Sequence, residues 1–206
     1  DLQKSGAHFL GLKDMAGLLK PAAARQLVKA LKEEVGLPIH FHTHDTSGIA
    51  GATILAAADA GVDVVDTAMD AFSGGTSQPC MGSIVEALHN SERDTGINIE
   101  NLREISDYWG QVRAQYAAFE SGLSSPASEV YLHEMPGGQF TNLKEQARSL
   151  GITTDKWGLV ANMYAEVNKM FGDIIKVTPS SKVVGDMALY MVTNDLTPAD
   201  VLDPNK

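Results

Sequence analysis

Over residues 1–90, short apolar or β-branched runs alternate with alanine-rich stretches, the pattern of repeated β/α units in a parallel sheet. Three strands are predicted, over residues 7–14, 37–44 and 61–67. Between them, residues 21–35 predict a helix that opens with Pro21 in its first turn and ends at Gly36. Residues 48–60 predict another, whose nearly continuous alanine face lets it lie close against a sheet. From Ile97 onward the periodicity lengthens into amphipathic helices over residues 98–120, 139–150 and 155–171, with one more opening near Thr178. Gly122-Leu123-Ser124-Ser125-Pro126 and Pro136-Gly137-Gly138 read as turns within this helical part.

At 206 residues and 44% hydrophobic, the chain can bury a substantial core. No apolar run approaches the roughly twenty residues of a membrane span, and Asp1-Leu2-Gln3-Lys4-Ser5 has no signal-peptide character. The single cysteine, Cys80, cannot form an internal disulfide, which fits a reducing, cytoplasmic compartment. A net charge of −10 argues against nucleic acid as a partner, because a phosphate backbone would be repelled. A small anionic substrate therefore needs a local positive centre, and a divalent metal would be one.

The candidate chemistry lies in His40-Phe41-His42-Thr43-His44-Asp45, which closes the apolar run Leu37-Pro38-Ile39. Alternation along a strand puts the three imidazoles on one face, where two of them at i, i+2 can reach a single ion. The plainer alternative is that they are hydrogen-bonded core or rim residues. Parallel β/α units gather functional groups at the carboxyl ends of their strands. That rule favours His42 and His44 as metal ligands and makes His40, a layer deeper, structural. Lys13 holds the same end of the preceding strand. Its ammonium has no lone pair to give a metal, so it is an anion contact or ion-pair partner unless carbon dioxide converts it to a carbamate.

The runs from Lys13 to Pro21 and from His40 to Gly48 resemble the carboxyltransferase domain of the pyruvate carboxylase family, bacterial type. So do Thr76-Ser77-Gln78-Pro79, the run from Glu134 to Leu143, and the run from Lys176 to Lys182. The resemblance implies a (β/α)₈ TIM barrel with a helical extension capping its mouth. Residues 1–95 would be the last three β/α units, and 96–206 the extension. It implies transfer of carboxyl from carboxybiotin to pyruvate, giving oxaloacetate. By position, Lys13 matches a carbamylated metal-binding lysine, His42 and His44 the histidine pair, Thr178 a catalytic proton-relaying threonine, and Ser181 a residue lining the biotin pocket. Zinc or manganese is the expected ion, since nitrogen and oxygen ligands suit both. Read without the resemblance, Thr178 is a helix N-cap with Pro179 in the first helical position, and Ser181 an ordinary first-turn serine.

A whole barrel takes about 250 residues, so three units imply a fragment, expected to be inactive alone and to leave a sheet edge unpaired. The resemblance places a metal-binding aspartate and the arginine and glutamine that hold pyruvate on earlier strands, and a biotin-pocket lysine later. No Met-Lys-Met biotinylation signal and no ATP-binding glycine loop is present, so biotin attachment and ATP chemistry would belong to other domains of a homotetrameric parent. Oxaloacetate decarboxylase and transcarboxylase subunits share the domain. Two rivals are a metal-dependent acyl lyase or condensing enzyme of the hydroxymethylglutaryl-CoA lyase type, and a non-catalytic scaffold. For the scaffold, Tyr108, Trp109, Tyr116 and Phe119 offer an interface, although core packing is the first expectation for them.

Overall fold

The computed structural model of the chain describes residues 1–120 and 125–203, and these form two compact units, Asp1–Ser128 and Glu129–Lys206. The first unit is α/β. Its strands β1 (Leu10–Asp14), β2 (Ile39–Thr43) and β3 (Val64–Val65) form a parallel sheet in the order β1-β2-β3. Helices α1 (Pro21–Glu34) and α2 (Ala50–Asp59) follow the first two strands, and α3 (Met81–Leu88) and α4 (Ile99–Gln115) follow the third. The second unit is helical, comprising α5 (Val130–His133), α6 (Gly137–Ser149), α7 (Trp157–Met170), α8 (Ser180–Thr193) and α9 (Pro198–Leu202).

The sheet has a wet side and a dry side, and β2 shows why. Ile39, Phe41 and Thr43 are buried, whereas His40 and His42 between them stay partly open. The period of two sends Ile39 and Phe41 against Ala24 and Val28 of α1 and Ile54 and Ala57 of α2. Alanine at these helix positions lets α1 and α2 sit close to the strand and to each other. Pro21 occupies the first turn of α1, where its missing N–H costs nothing.

All three predicted strands shorten, the second to Ile39–Thr43. β1 begins at Leu10, whose N–H donates to the Pro38 carbonyl at 2.9 Å, because its partner begins only at Ile39. Residues ahead of it close into turns instead, with Ser5 N–H donating to Asp1 and Leu2 carbonyls. Among the described residues β3 pairs only with β2, held by Asp63 N–H to the Ile39 carbonyl and Asp66 N–H to the Phe41 carbonyl. The helix α3 was not anticipated; its buried Gly82, Ile84, Val85 and Leu88 carry the helical spacing in only eight residues. Because α4 packs on α3 and on the turn Asp70–Phe72, it belongs to the first unit, and the two units divide later than the change of texture in the sequence.

The aromatic residues on α4 and in the 3₁₀ turn that follows it, Ala117–Phe119, do not fill a core: Tyr108 is 60%, Tyr116 57% and Phe119 83% exposed. Trp109, partly exposed, meets Phe72 and Tyr108 edge to face. The core-packing expectation is corrected here, because the buried positions of this polar helix reduce to Leu102.

In the second unit, Met135, Leu143, Val160, Tyr164, Val167, Val184, Ala188 and Met191 form one core shared by α6, α7 and α8. Gly137 and Gly138, expected in a turn, are the first two residues of α6, with Pro136 as N-cap and its carbonyl accepting from Phe140 N–H at 2.9 Å. The predicted helix over residues 155–171 divides into a 3₁₀ turn, Thr154–Lys156, and α7. In the first predicted turn, Gly122, Leu123 and Ser124 lie outside the described residues, while Ala127 N–H donates to the Thr46 carbonyl at 2.9 Å.

Candidate functional site

Lys13 and His42 are register partners across β1 and β2, so their side chains leave the same face of the sheet at its carboxyl end. Lys13 is exposed. The next residue, Asp14, turns into the loop and accepts from Leu18 N–H, Leu19 N–H and the Thr43 hydroxyl, each at 2.9 Å. The loop then crosses β2 at Gly17, where a Cβ would overlap the His44 carbonyl oxygen, and φ is +69°. Only glycine satisfies both conditions without strain.

The imidazoles are held by their inner nitrogens. His42 Nδ1 lies 2.7 Å from Asp66 Oδ2, and His44 Nδ1 lies 2.6 Å from the Thr76 carbonyl. A carbonyl and a carboxylate can only accept, so each Nδ1 carries the proton and each Nε2 is left with its lone pair in the neutral ring. The two Nε2 atoms stand 3.3 Å apart, with the rings at 77° to each other. Two lone pairs converging at that distance repel unless a proton or a cation lies between them. Two nitrogens each about 2.1 Å from one ion at a tetrahedral angle are about 3.4 Å apart. The donor set therefore fits a cation bound by both imidazoles.

Electrostatics agree with that use. Burial holds the His44 imidazole below its ordinary value, the Thr76 carbonyl opposes this, and His42 lowers it further, so His44 is neutral at pH 7. At Asp66 burial pushes upward, but hydrogen bonds and charge from His40 and His42 outweigh it and leave the carboxyl below its ordinary value. Burial raises the Asp45 carboxyl, offset in part by the hydrogen bond from Ala50 N–H. Among the described residues, no three His, Cys, Asp or Glu side chains converge as a metal cluster. A third ligand from this chain would have to be of another type, and Lys13 is placed beside the pair.

His40 lies one layer below, its Nε2 2.7 Å from Asp66 Oδ1. Asp66 was missed by the reading of the sequence, which saw it only as part of a strand. The strand-end rule that ranked the histidines applies equally to it and would have found it. Thr76 offers no such signal, because it contributes a backbone carbonyl.

Thr178 and Ser181 belong to the second unit. The expectation that Thr178 caps the helix is corrected: α8 begins at Ser180, Pro179 is the N-cap residue, and no side chain caps it. The Thr178-Pro179 peptide bond is cis, and Thr178 is exposed in the connection before the helix. Ser180 organises this turn, its hydroxyl accepting from Val177 N–H at 3.1 Å with the Ile175 carbonyl 2.6 Å away. Ser181 is buried within the first turn of α8.

A model for HMGL-like domains matches residues 1–108, and one for a conserved carboxylase domain matches residues 130–206. The chain is 53% identical to a pyruvate carboxylase of Bacillus subtilis over 98% of its own length and 18% of the relative's. It is 54% identical to a Staphylococcus aureus pyruvate carboxylase with the same coverage. Among solved structures, the carboxyl transferase domain of Rhizobium etli pyruvate carboxylase with pyruvate and biocytin matches all of this chain and 34% of that one, at 72% identity and a TM-score of 0.97. The chain thus spans about a fifth of the curated relatives it matches and a third of that solved domain. With its parallel β/α units and the family model covering its first half, the chain belongs to the HMGL-like family of TIM-barrel domains, in its pyruvate carboxylase carboxyltransferase branch.

Proposed function

We propose that this chain is part of the machinery that moves carboxyl from carboxybiotin to pyruvate, giving oxaloacetate. The observation that carries the reading is the likeness along the whole chain, at 72% identity, to a carboxyl transferase domain solved with pyruvate and biocytin. The conserved carboxylase model over residues 130–206 favours it over an acyl lyase of the hydroxymethylglutaryl-CoA lyase type.

His42 and His44 would hold a zinc or manganese ion through their Nε2 atoms, with Lys13 as third ligand after carbamylation. An ammonium beside a dication repels it, whereas a carbamate brings an anionic oxygen and offsets its charge. When bound, the ion supplies a fixed positive charge that polarises the pyruvate carbonyl region. Carboxybiotin, when bound, would supply carbon dioxide and a basic ureido nitrogen. Thr178 takes a proton from the pyruvate methyl group and passes one to that nitrogen, and the pyruvate enolate attacks the carbon dioxide. A threonine hydroxyl is a poor free acid or base, so both partners must be within hydrogen-bond reach. Ser181 would line the biotin pocket. The biotin carrier and the ATP-dependent step belong to other domains of a cytoplasmic homotetramer, and this chain alone is inactive. The net charge is −10, and no described helix is long and apolar enough to cross a bilayer.

The test measures metal content and biotin-dependent oxaloacetate decarboxylation in the full-length enzyme that carries this chain, beside Lys13→Ala and Thr178→Ala. The expected result is metal and activity in the wild type, loss of both in Lys13→Ala, and retained metal with activity lowered at least about 100-fold in Thr178→Ala. Full activity without Lys13 or Thr178, or a wild type without metal, would overturn the assignment.

A further inference from the structure

Among the described residues, Asp66 is the one carboxylate that engages two imidazoles. Its Oδ1 accepts from His40 Nε2 and its Oδ2 from His42 Nδ1, both at 2.7 Å. The fold builds this arrangement in two steps. His40 and His42 stand at i, i+2 on the open face of β2, one ring above the other. Asp66 leaves β3 just after Val65, the register partner of Phe41, and its N–H donates to the Phe41 carbonyl at 3.0 Å. That backbone bond fixes the carboxylate between the two rings, and both of its oxygens are used.

We propose that Asp66 is a positioning residue for His42 and that His40 is its brace, the three acting as one unit that keeps the His42 Nε2 lone pair aimed at His44. The inference rests on the metal reading of the His42 and His44 pair. A neutral imidazole can carry its proton on either nitrogen. With the proton on Nε2, His42 would present an N–H where a cation must bind. Acceptance by Asp66 holds the proton at Nδ1 and orients the ring, as the Thr76 carbonyl does for His44. His40 does not reach the ion. It occupies the second carboxylate oxygen, so that the carboxylate cannot rotate away from His42. The histidine that the strand-end rule set aside thereby gains a role, acting through another residue.

The test uses the intact polypeptide and the metal alone, with zinc affinity read by competition with a chromophoric chelator and geometry by the visible absorption of cobalt. Asp66→Ala is expected to weaken zinc binding about 10- to 100-fold, with a changed cobalt spectrum. Asp66→Asn, which can accept through one oxygen only and lacks the charge, falls between Asp66→Ala and the wild type. His40→Gln, whose amide can still donate to Asp66, stays within about threefold of the wild type, whereas His40→Ala is weaker than His40→Gln. Circular dichroism checks folding, and Asp66→Asn, with nearly the same shape, keeps the comparison available should Asp66→Ala unfold. Zinc affinity within about twofold of wild type in both Asp66 variants, or no difference between the two His40 variants, would overturn the inference while leaving the metal site standing. A wild type that binds neither ion would overturn the site and the inference with it.

Discussion

Protonation of His133 should unfasten the start of the helical unit between pH 6.5 and about 4. The residue ends α5 with only 3% of its surface exposed and lies against Phe140 with ring centroids 5.6 Å apart. Its Nδ1 accepts from Met135 N–H at 3.0 Å, so the lone pair at that nitrogen is already engaged. Burial pushes the imidazole down to about 4, although the neighbouring Glu134 works in the opposite direction. The unfolded chain takes up the proton near pH 6.5 and the folded one does not, so stability is full above 6.5 and falls as pH drops toward about 4. The gap between 6.5 and about 4, at ~1.4 kcal/mol per pH unit, is worth about 3 kcal/mol in all, and about 2 kcal/mol by pH 5. Hydrogen exchange read by mass spectrometry over residues 130–149, corrected for intrinsic rates, measures that loss. His133→Asn supplies the control, since its amide oxygen can accept from Met135 N–H but does not titrate. Other groups titrate in both proteins and cancel in the difference. A wild-type-minus-variant difference that stays flat between pH 7.5 and 5, or grows in favour of the wild type on acidification, would refute the reasoning.

Three further outcomes follow from the first unit. Phe41→Ala empties a buried site between β2 and its helices, and urea denaturation should show a loss of about 3–5 kcal/mol. Gly17→Ala forces a side chain onto the His44 carbonyl at a positive φ; it should destabilise the protein by at least about 1 kcal/mol and lower metal content along with stability. Asp14→Ala strips the partner from two backbone donors and the Thr43 hydroxyl, for an expected loss of about 1–3 kcal/mol, visible as faster exchange of the Leu18 and Leu19 amides.

The parts of this structure that the sequence discloses are those governed by local periodicity. β2 is legible because alternation of apolar residues with histidines can only be a half-buried strand, and the proline and glycine at either end of α1 mark its limits. β3 contracts to two residues because strand length is set by neighbours, and among the described residues only β2 pairs with it. The N-cap of α8 falls one residue later than expected, on Pro179, and the Ser180 hydroxyl ties the preceding turn through Val177 N–H and the Ile175 carbonyl instead of capping the helix. Lys13, His42 and His44 could be proposed from strand ends and resemblance. Asp66 stands at the end of the third predicted strand, where the strand-end rule marks its position, but its engagement with two rings shows only once the fold carries it between them. The exposed aromatic residues on and just after α4 differ from expectation for a related reason: a helical pattern shows its apolar residues, but not whether anything lies against them.

The parity of β2 makes it two messages written on one strand. At Ile39, Phe41 and Thr43 a substitution is felt as folding energy, and at His40 and His42 as chemistry. The two can drift independently so long as the count between them is kept. Removing or inserting a single residue after Pro38 would exchange the sides, pressing imidazoles into the helix layer and turning Phe41 toward the open face. The strand can thus be rewritten letter by letter but cannot be respaced, and relatives that have changed their chemistry at this site should have done so by substitution alone.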